Sequence, residues 1–588
     1  MRSVSRPPPR SNLSDTAQAS HIGGRDRGPV FRLGMLVIAE RDGEVEMSIA
    51  GAAWPPSAGQ SFHARCGWDS DSLIKALRPQ FDSYRLQHFL FPSSHGAPFL
   101  KSQILPFYGA AGTSPTARGR ILLLSYHFPP AQTAGALRWQ KLSRYADERG
   151  YGLDVVTLDP SALSLQDPSA LADLPASVRV FGVLPRTTAL DRAEALASRL
   201  LRGMRTLVRG AGKPDASAPR SPSPASGAAA PTSYAASDLR FDPASTKSWK
   251  RAYHAIAMTL QDKHWALRAA ALGGAIFEGG EHRVVVSCGP PHMVHEGARR
   301  LARTHGVPLV LDFRDAWSIA ERLPEPFASP VWPRYVGRYE ARALAQAGLV
   351  VMNTELAQRA MQATYPGASG RIIAALNGCD EGTVARSYTA ADPFRIAYAG
   401  SIYLDRSPAT LFRALARVVR ELQLAPGDIE IAFMGSVADV AGRPLEAEAA
   451  DAGVERYVRR HPLGTRREAD RFLASAHALI NLYQDTHMAI PSKIFEYMRH
   501  DAALIVLAEP GSATYDLMRG TPAEVAAPGD LDAIAGAIRR LYEARRAGAT
   551  PRAMASDPRF SRRHQAERLL DALDALVESE GVRLPRTV

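Results

Sequence analysis

From residue 119 onward, short runs of consecutive apolar residues alternate with longer stretches of helical periodicity. "GRILLLSYHFPP" is an apolar run that ends in a loop; "AGALRWQKLSRYADERG" has a helical pattern with a glycine stop; "YGLDVVTLD" is a second apolar run. Strand, helix and strand within ~40 residues predict a βαβ unit and hence a parallel sheet. The alternation continues through "HRVVVSCGPP", the helical "MVHEGARRLARTHG", "VPLVLDFRDAW", "RYEARALAQAG", "LVVMNT" and "RIIAALNGCD". A second series opens at "FRIAYAGSIY" and runs through "PATLFRALARVVREL", "IEIAFMG", "ERYVRRHPLG", "RREADRFLASA", "HALINLY", a short helix at 491–500 and "ALIVLAE". The pattern predicts an α/β fold of two consecutive Rossmann-like domains facing a central cleft, where ligands of such sheets bind.

Two regions break the pattern. Residues 1–118 read as an N-terminal extension, with a polar Pro-rich start expected to be disordered and a hairpin turning at Asp42-Gly43. Residues 211–248 are dominated by Ser, Pro, Ala and Gly and predict an unstructured insertion. The stretch before it projects Leu196, Leu200, Leu201, Met204, Leu207 and Val208 on one helical face, with Arg192, Arg199, Arg202, Arg205 and Arg209 opposite. A basic amphipathic helix over 190–209 suits an anionic membrane surface, and equally a helix with its Leu face in a core.

At 588 residues the chain exceeds one core, and its net charge of +12 favours an anionic partner. Three cysteines, Cys66, Cys288 and Cys379, lie far apart and exclude a disulfide framework, which fits a cytoplasmic location. No apolar run is long enough to span a bilayer. The arginines are spread over helices without an aromatic-basic motif, which argues against nucleic acid.

The candidate chemistry gathers after strands. Gly400-Ser401 follows the first strand of the second series with Arg406 close behind, and Gly435-Ser436 follows another. Glycine lets a backbone approach a phosphate, and arginine clamps one. In "IPSKIFEYM" Lys493 and Glu496 stand one turn apart. They are either an exposed ion pair or, beside Ser492, a cation for a diphosphate and a carboxylate for a sugar diol. "LDFRDAW" sets Asp312, Arg314 and Asp315 at the end of a strand beside Trp317. Either the loop holds a local Asp–Arg pair, or these groups orient acceptor hydroxyls and assist proton removal, with Trp317 under a sugar ring. The Asp69-Ser70-Asp71 triplet follows no buried strand and reads as a helix cap, so no metal site is expected.

The order and wording of "SYHFPPAQTAGALRWQKLSRY", "SCGPPHMVH", "PLVLDFRDAW", "LNGCDEG", "YAGSIY" and "IPSKIFEYM" resemble the GT-B glycosyltransferases, and among them glycosyltransferase family 4 and its relatives in bacterial surface-polysaccharide assembly. The resemblance covers about 119 to 585. It implies an acceptor domain over 119–388, a nucleotide-sugar domain over 389–555, and a last helix over 556–588 that crosses back to the first domain. Glu496 matches the second glutamate of the family's Glu-x7-Glu motif, which holds the ribose, while Met488 stands where the first belongs. Gly400-Ser401 stands where the family has Gly-Arg, leaving Arg406 and Lys493 as the phosphate-binding cations. Gly135 matches a glycine flanking the donor phosphates, and His295 a histidine at the reaction centre. With Arg138, Arg314 and Trp317 on the acceptor side, the resemblance implies retaining transfer, expected here without a metal or cofactor, from a nucleotide-diphosphate sugar to a saccharide or polyprenyl-linked acceptor. A sugar-nucleotide epimerase and a non-catalytic nucleotide-sugar binder are the alternatives. The expected location is cytoplasmic, peripheral on the inner membrane face.

Overall fold

The structure is a computed structural model that describes residues 104–110, 116–186, 248–320, 328–389, 391–402, 407–437, 443–483, 486–555 and 557–581, with the strands at 35–41, 44–50, 64–65 and 439–440. Residues 1–95 and 96–588 form separate compact units. In the first, β1 (Met35–Arg41) and β2 (Glu44–Ala50) pair antiparallel with Arg41 opposite Glu44, and β3 (Ala64–Arg65) joins β2. That register brackets the expected two-residue turn at Asp42-Gly43. The Asp69–Asp71 triplet, the basic 190–209 stretch, most of the Ser/Pro/Ala insertion, Cys66 and Arg406 lie outside the described residues.

The second unit holds two parallel sheets. Its first lobe contains β4 (Arg120–Ser125), β5 (Gly152–Leu158), β6 (Val178–Val183), β7 (His282–Gly289), β8 (Leu309–Phe313), β9 (Leu349–Met352) and β10 (Ile372–Ala374). They are ordered β10-β9-β8-β7-β4-β5-β6. The second contains β11 (Phe394–Ala399), β12 (Ile429–Met434), β15 (Val458–His461), β16 (Ala478–Asn481), β17 (Ala503–Leu507) and β18 (Glu524–Ala526), ordered β15-β12-β11-β16-β17-β18; a small β13–β14 hairpin (Asp439–Val440 and Arg443–Pro444) lies apart. Both lobes are therefore Rossmann-like, doubly wound sheets, with the order reversing beside the first strand.

The apolar runs form strands because both faces are covered. In the first lobe, Leu122 and Leu124 pack under the Ser248–Ile276 and Val294–His305 helices, while Ile121 and Leu123 pack on the opposite face. That face is sealed by the C-terminal helix Arg562–Gly581, whose Ala566, Leu569, Leu570 and Leu573 join the core of the first lobe. Tyr151 Oη donates to Asp574 at 2.6 Å and Arg118 pairs with the same carboxylate, fixing the helix to the lobe. The helix at Ser248–Ile276, which begins at the end of the long insertion, and strand β6 have no counterpart in the sequence reading.

Candidate active site

The carboxyl edges of the two sheets meet. Thr354, just past β9 in the first lobe, donates its hydroxyl to the Met488 carbonyl in the loop after β16 at 2.6 Å. The Met488 side chain packs against the apolar cluster of the first lobe. The residue in the place of the family's first glutamate is thus used as a contact between lobes. The loop after β16, at the second sheet's switch point, thus touches the first lobe just past β9.

In the second lobe the switch point lies between β11 and β16. Gly400 ends β11 with φ of 132° and Gly435 ends β12 with φ of 123°, conformations that favour glycine. A Cβ on Gly400 would collide with Nζ and Cε of Lys493, and one on Gly435 with the Gly400 carbonyl. Gly400, Gly435 and Lys493 therefore lie side by side at the carboxyl edge of the second sheet. Lys493 Nζ donates to Tyr398 Oη at 2.7 Å and lies 4.2 Å from the centre of that ring, so the ammonium is held by a hydrogen bond and a cation–π contact. Tyr497, one turn along, pins the end of β11 through the Ala399 N–H at 3.0 Å. Ser401 is exposed and Ser492 half-buried at the rim. The helix carrying Lys493 is only Ser492–Tyr497, so its dipole adds little. Glu496 accepts from Arg466 at 3.3 Å, a partner contributed by the Arg466–Ala474 helix that no sequence spacing announces. Burial would lower the Arg466 guanidinium, but Glu496, Asp470 and Asp380 hold it above its usual value.

In the first lobe the switch point lies between β4 and β7, and several expectations need correction there. Asp312 is fully enclosed: Arg138 Nε reaches it at 2.8 Å and Trp139 Nε1 donates to it at 2.8 Å. Arg138 is itself buried and also donates to Asn377 Oδ1 and the Ala375 carbonyl. Both are shut off from solvent, and the pair ties the first helix to β8 and the segment after β10. Trp317 is buried, its ring taken up by His292 at 5.4 Å and His295 at 6.0 Å, and offers no face to a sugar. Arg314 donates to the carbonyls of Gly289 and Pro290, and its guanidinium sits where a Cβ on Gly135 would be. Gly135 thus makes room for Arg314 and acts as a packing glycine. Asp315 is open to solvent although protein crowds it on several sides; that crowding lifts its carboxyl, against the pull of Arg314. It is the accessible carboxylate of the motif.

His295 is also enclosed. Its Nδ1 faces Ser287 Oγ at 2.8 Å and its Nε2 faces His292 Nδ1 at 3.5 Å. Burial drives its pKa down to about 3, with Arg314 adding to the effect and Asp312 opposing it. His292 is held well below its ordinary value by burial, then by His295 and Arg314. Yet His292 is only half-buried, whereas His295 is fully enclosed. His127, in the loop after β4, is likewise half-buried and pushed down to about 3 by burial and then Arg314. Sequence reasoning passed over His127 and His292, although each follows its strand within three residues. Three further enclosed oxygens, Thr133 Oγ1, Asn353 Oδ1 and Thr486 Oγ1, lie beyond strand ends without a partner among the described residues. The thiols of Cys288 and Cys379 are buried and pushed up to about 12, chiefly by burial, so neither is a nucleophile.

No protein-family profile matches the chain, and no curated protein matches it in sequence. Solved structures similar to it include the trehalose 6-phosphate synthase of Burkholderia multivorans, with a TM-score of 0.49 at 12% identity over 80% of this chain and 100% of that one. Anabaena HepE with UDP-glucose follows at 0.47 and 13%, over 78% and 100%. The lipopolysaccharide outer core galactosyltransferase WaaB stands at 0.43 and 12%, over 78% and 99%. Likeness of this degree concerns the path of the chain and carries no residue-level correspondence.

Proposed function

We propose that the protein is a glycosyltransferase that takes its sugar from a nucleotide diphosphate bound in the second lobe. The observation that carries this reading is the Lys493 ammonium seated over Gly400, on the edge that meets the first lobe at Thr354 and Met488. Glycosyl transfer needs negative charge stabilised on the departing diphosphate, and a pre-oriented ammonium in a partly enclosed cleft supplies that without reorganisation. Glycine backbone at 400 and 435 gives a phosphate close approach, Ser401 and Ser492 offer hydroxyl donors, and Arg406 is the proposed second cation. Glu496 accepts the ribose hydroxyls, oriented by Arg466. Across the cleft, His292 and Asp315 contact the acceptor, with His295 and Ser287 setting the orientation of His292. A neutral imidazole and a carboxyl of raised pKa are suited to accept hydrogen bonds or a proton near neutral pH.

The finer reading is retaining, metal-independent transfer in cell-surface polysaccharide assembly, onto a saccharide or polyprenyl-linked acceptor at the cytoplasmic membrane face. The net charge of +12 and the arginine face predicted over 192–209 support the membrane part. Binding to anionic vesicles at low salt tests it, and absence of binding sinks it. For the donor, a thermal-shift screen of nucleotide sugars followed by transfer assays is the decisive experiment. Stabilisation by one donor, lost in Lys493→Ala, is the expected result; equal response of both proteins removes the site. A second reading, donor binding without transfer, draws on the commitment of Met488 to the contact between lobes. Donor binding with no product across a broad acceptor panel would favour it.

A further inference from the structure

At the opposite edge of the second lobe, where β11 and β17 begin, lies a cavity of about 240 Å³. Tyr388, Phe394, His477, Leu541, Arg545 and Arg552 help to line it. The six residues of β11 separate it from Gly400 by roughly 20 Å, so it is not part of the cleft. Its wall is largely apolar. The Tyr388 ring lies 3.8 Å from that of His477, and Phe394 sits 5.4 Å from the same imidazole.

Two buried donors interrupt this apolar wall. His477 Nδ1 accepts the Arg395 N–H at 3.2 Å, so the proton of the neutral ring is on Nε2. That N–H has no partner among the described residues, although His477 is only 2% exposed. Arg545 donates one terminal nitrogen to the Thr389 carbonyl at 2.8 Å, while its Nε is also enclosed and without a partner among the described residues. Arg552 adds a second guanidinium to the lining. The nearby Asp501 carboxylate is engaged by the Ala553 N–H at 3.2 Å. Unpaired buried donors destabilise a fold, and a carboxylate, with two accepting oxygens and a negative charge, answers both here.

We propose that this cavity is a second ligand site, for a small organic acid with an apolar body. Its carboxylate binds His477 Nε2 and Arg545, and its body lies against Tyr388, Phe394 and Leu541. The volume falls below the ~300–1,000 Å³ of sites that hold drug-sized ligands, which excludes a nucleotide sugar. Tyr388 and Thr389 belong to the segment joining the two lobes, so an occupant braces that connection.

The test is calorimetric titration of the full chain with phenylpropionate, phenylpropionamide and inorganic phosphate. Phenylpropionate is expected to bind, the neutral amide at least about tenfold more weakly, and phosphate more weakly still. Arg545→Gln is expected to weaken the acid about tenfold or more, and Ala544→Phe, which fills the cavity, to abolish its binding with melting unchanged. Equal affinity for acid and amide, equal affinity for phosphate, no binding of the acid, or undiminished binding to Ala544→Phe overturns the proposal.

Discussion

At the carboxyl edge of the first lobe Asp312 and Arg138 close on each other out of reach of water, whereas at the same edge of the second lobe Lys493 and Glu496 remain half-buried. The same contrast recurs at the amino edges. Asp154 in the first lobe is enclosed by Arg120, Arg179 and His282; burial alone would raise its carboxyl, but these partners hold it far below the usual range. In the second lobe the corresponding region carries the partly buried Arg395–Glu430 pair. One strand order thus serves two strategies. The first lobe uses its charges internally to fix the loops around His127, His292 and His295. The second keeps positive-φ glycines and a lysine accessible at its edge, which suits an anion. A charge buried with its partner is a structural element, while a charge at a rim stays available to solvent or a ligand.

The comparison is broken most directly at Lys493. Lys493→Ala is expected to lower transfer by about 100- to 1,000-fold, the loss typical of a donor to a developing oxyanion, with the melting temperature little changed. Gly400→Ala should reproduce much of that loss by displacing the ammonium, since the new Cβ collides with Nζ and Cε. Steady-state kinetics with a saturating donor decides both.

The buried pair should answer in the other currency. Asp312→Ala strands the Arg138 charge and is expected to cost about 3–5 kcal/mol of stability, read from denaturant melts. Arg466→Ala breaks an open pair and should cost no more than about 1 kcal/mol. If Glu496 holds the ribose, that same variant raises the donor KM. Equal destabilisation by the two would erase the distinction between the lobes.

Acid should expose a related effect. His127 and His295, at about 3, and His477 and His500, at about 4, are folded in their neutral form, each lowered first by burial. The unfolded chain binds protons on these rings below about 6.5, while the folded chain does not until pH 3–4. Stability is therefore complete above pH 6.5 and should fall progressively as the pH drops towards 4. His295→Phe should flatten part of that decline in melting experiments across the range. A melting temperature constant from pH 7 to 4 would contradict it.

A similarly small effect is expected at the junction itself. Met488→Ala trims a partly buried contact between lobes and should cost about 1 kcal/mol, since the Thr354 bond to its backbone carbonyl survives.

Much of this was legible in the chain. Unbroken apolar runs such as "RILLLS" and "GLDVVTL" specify strands covered on both faces, because a parallel strand buries every residue. Val294–His305 was readable from its helical period and its left-handed Gly306 stop. The proximity of Gly400 and Lys493 is what glycine after a strand and a cation at a following helix start suggest. Trp317, Asp312 and Arg138 were read as surface groups because type and position along a strand say nothing about what covers them. The ion pair that buries Asp312 spans residues 138 and 312, and no local pattern encodes it.

The sequence by itself determined the succession of strands and helices, two α/β halves, and which residues stand at the strand ends, since all of these follow from local periodicity and backbone preference. Tertiary structure alone decided which of those residues stay accessible, leaving His292 half-buried and Asp315 exposed while His295 and Asp312 are enclosed. It also turned Met488 into a contact between lobes and assembled the His477–Arg545 cavity from segments distant in the chain. The physical reason is that burial and long-range pairing set a side chain's solvation and charge, and neither is a property of its neighbours in sequence.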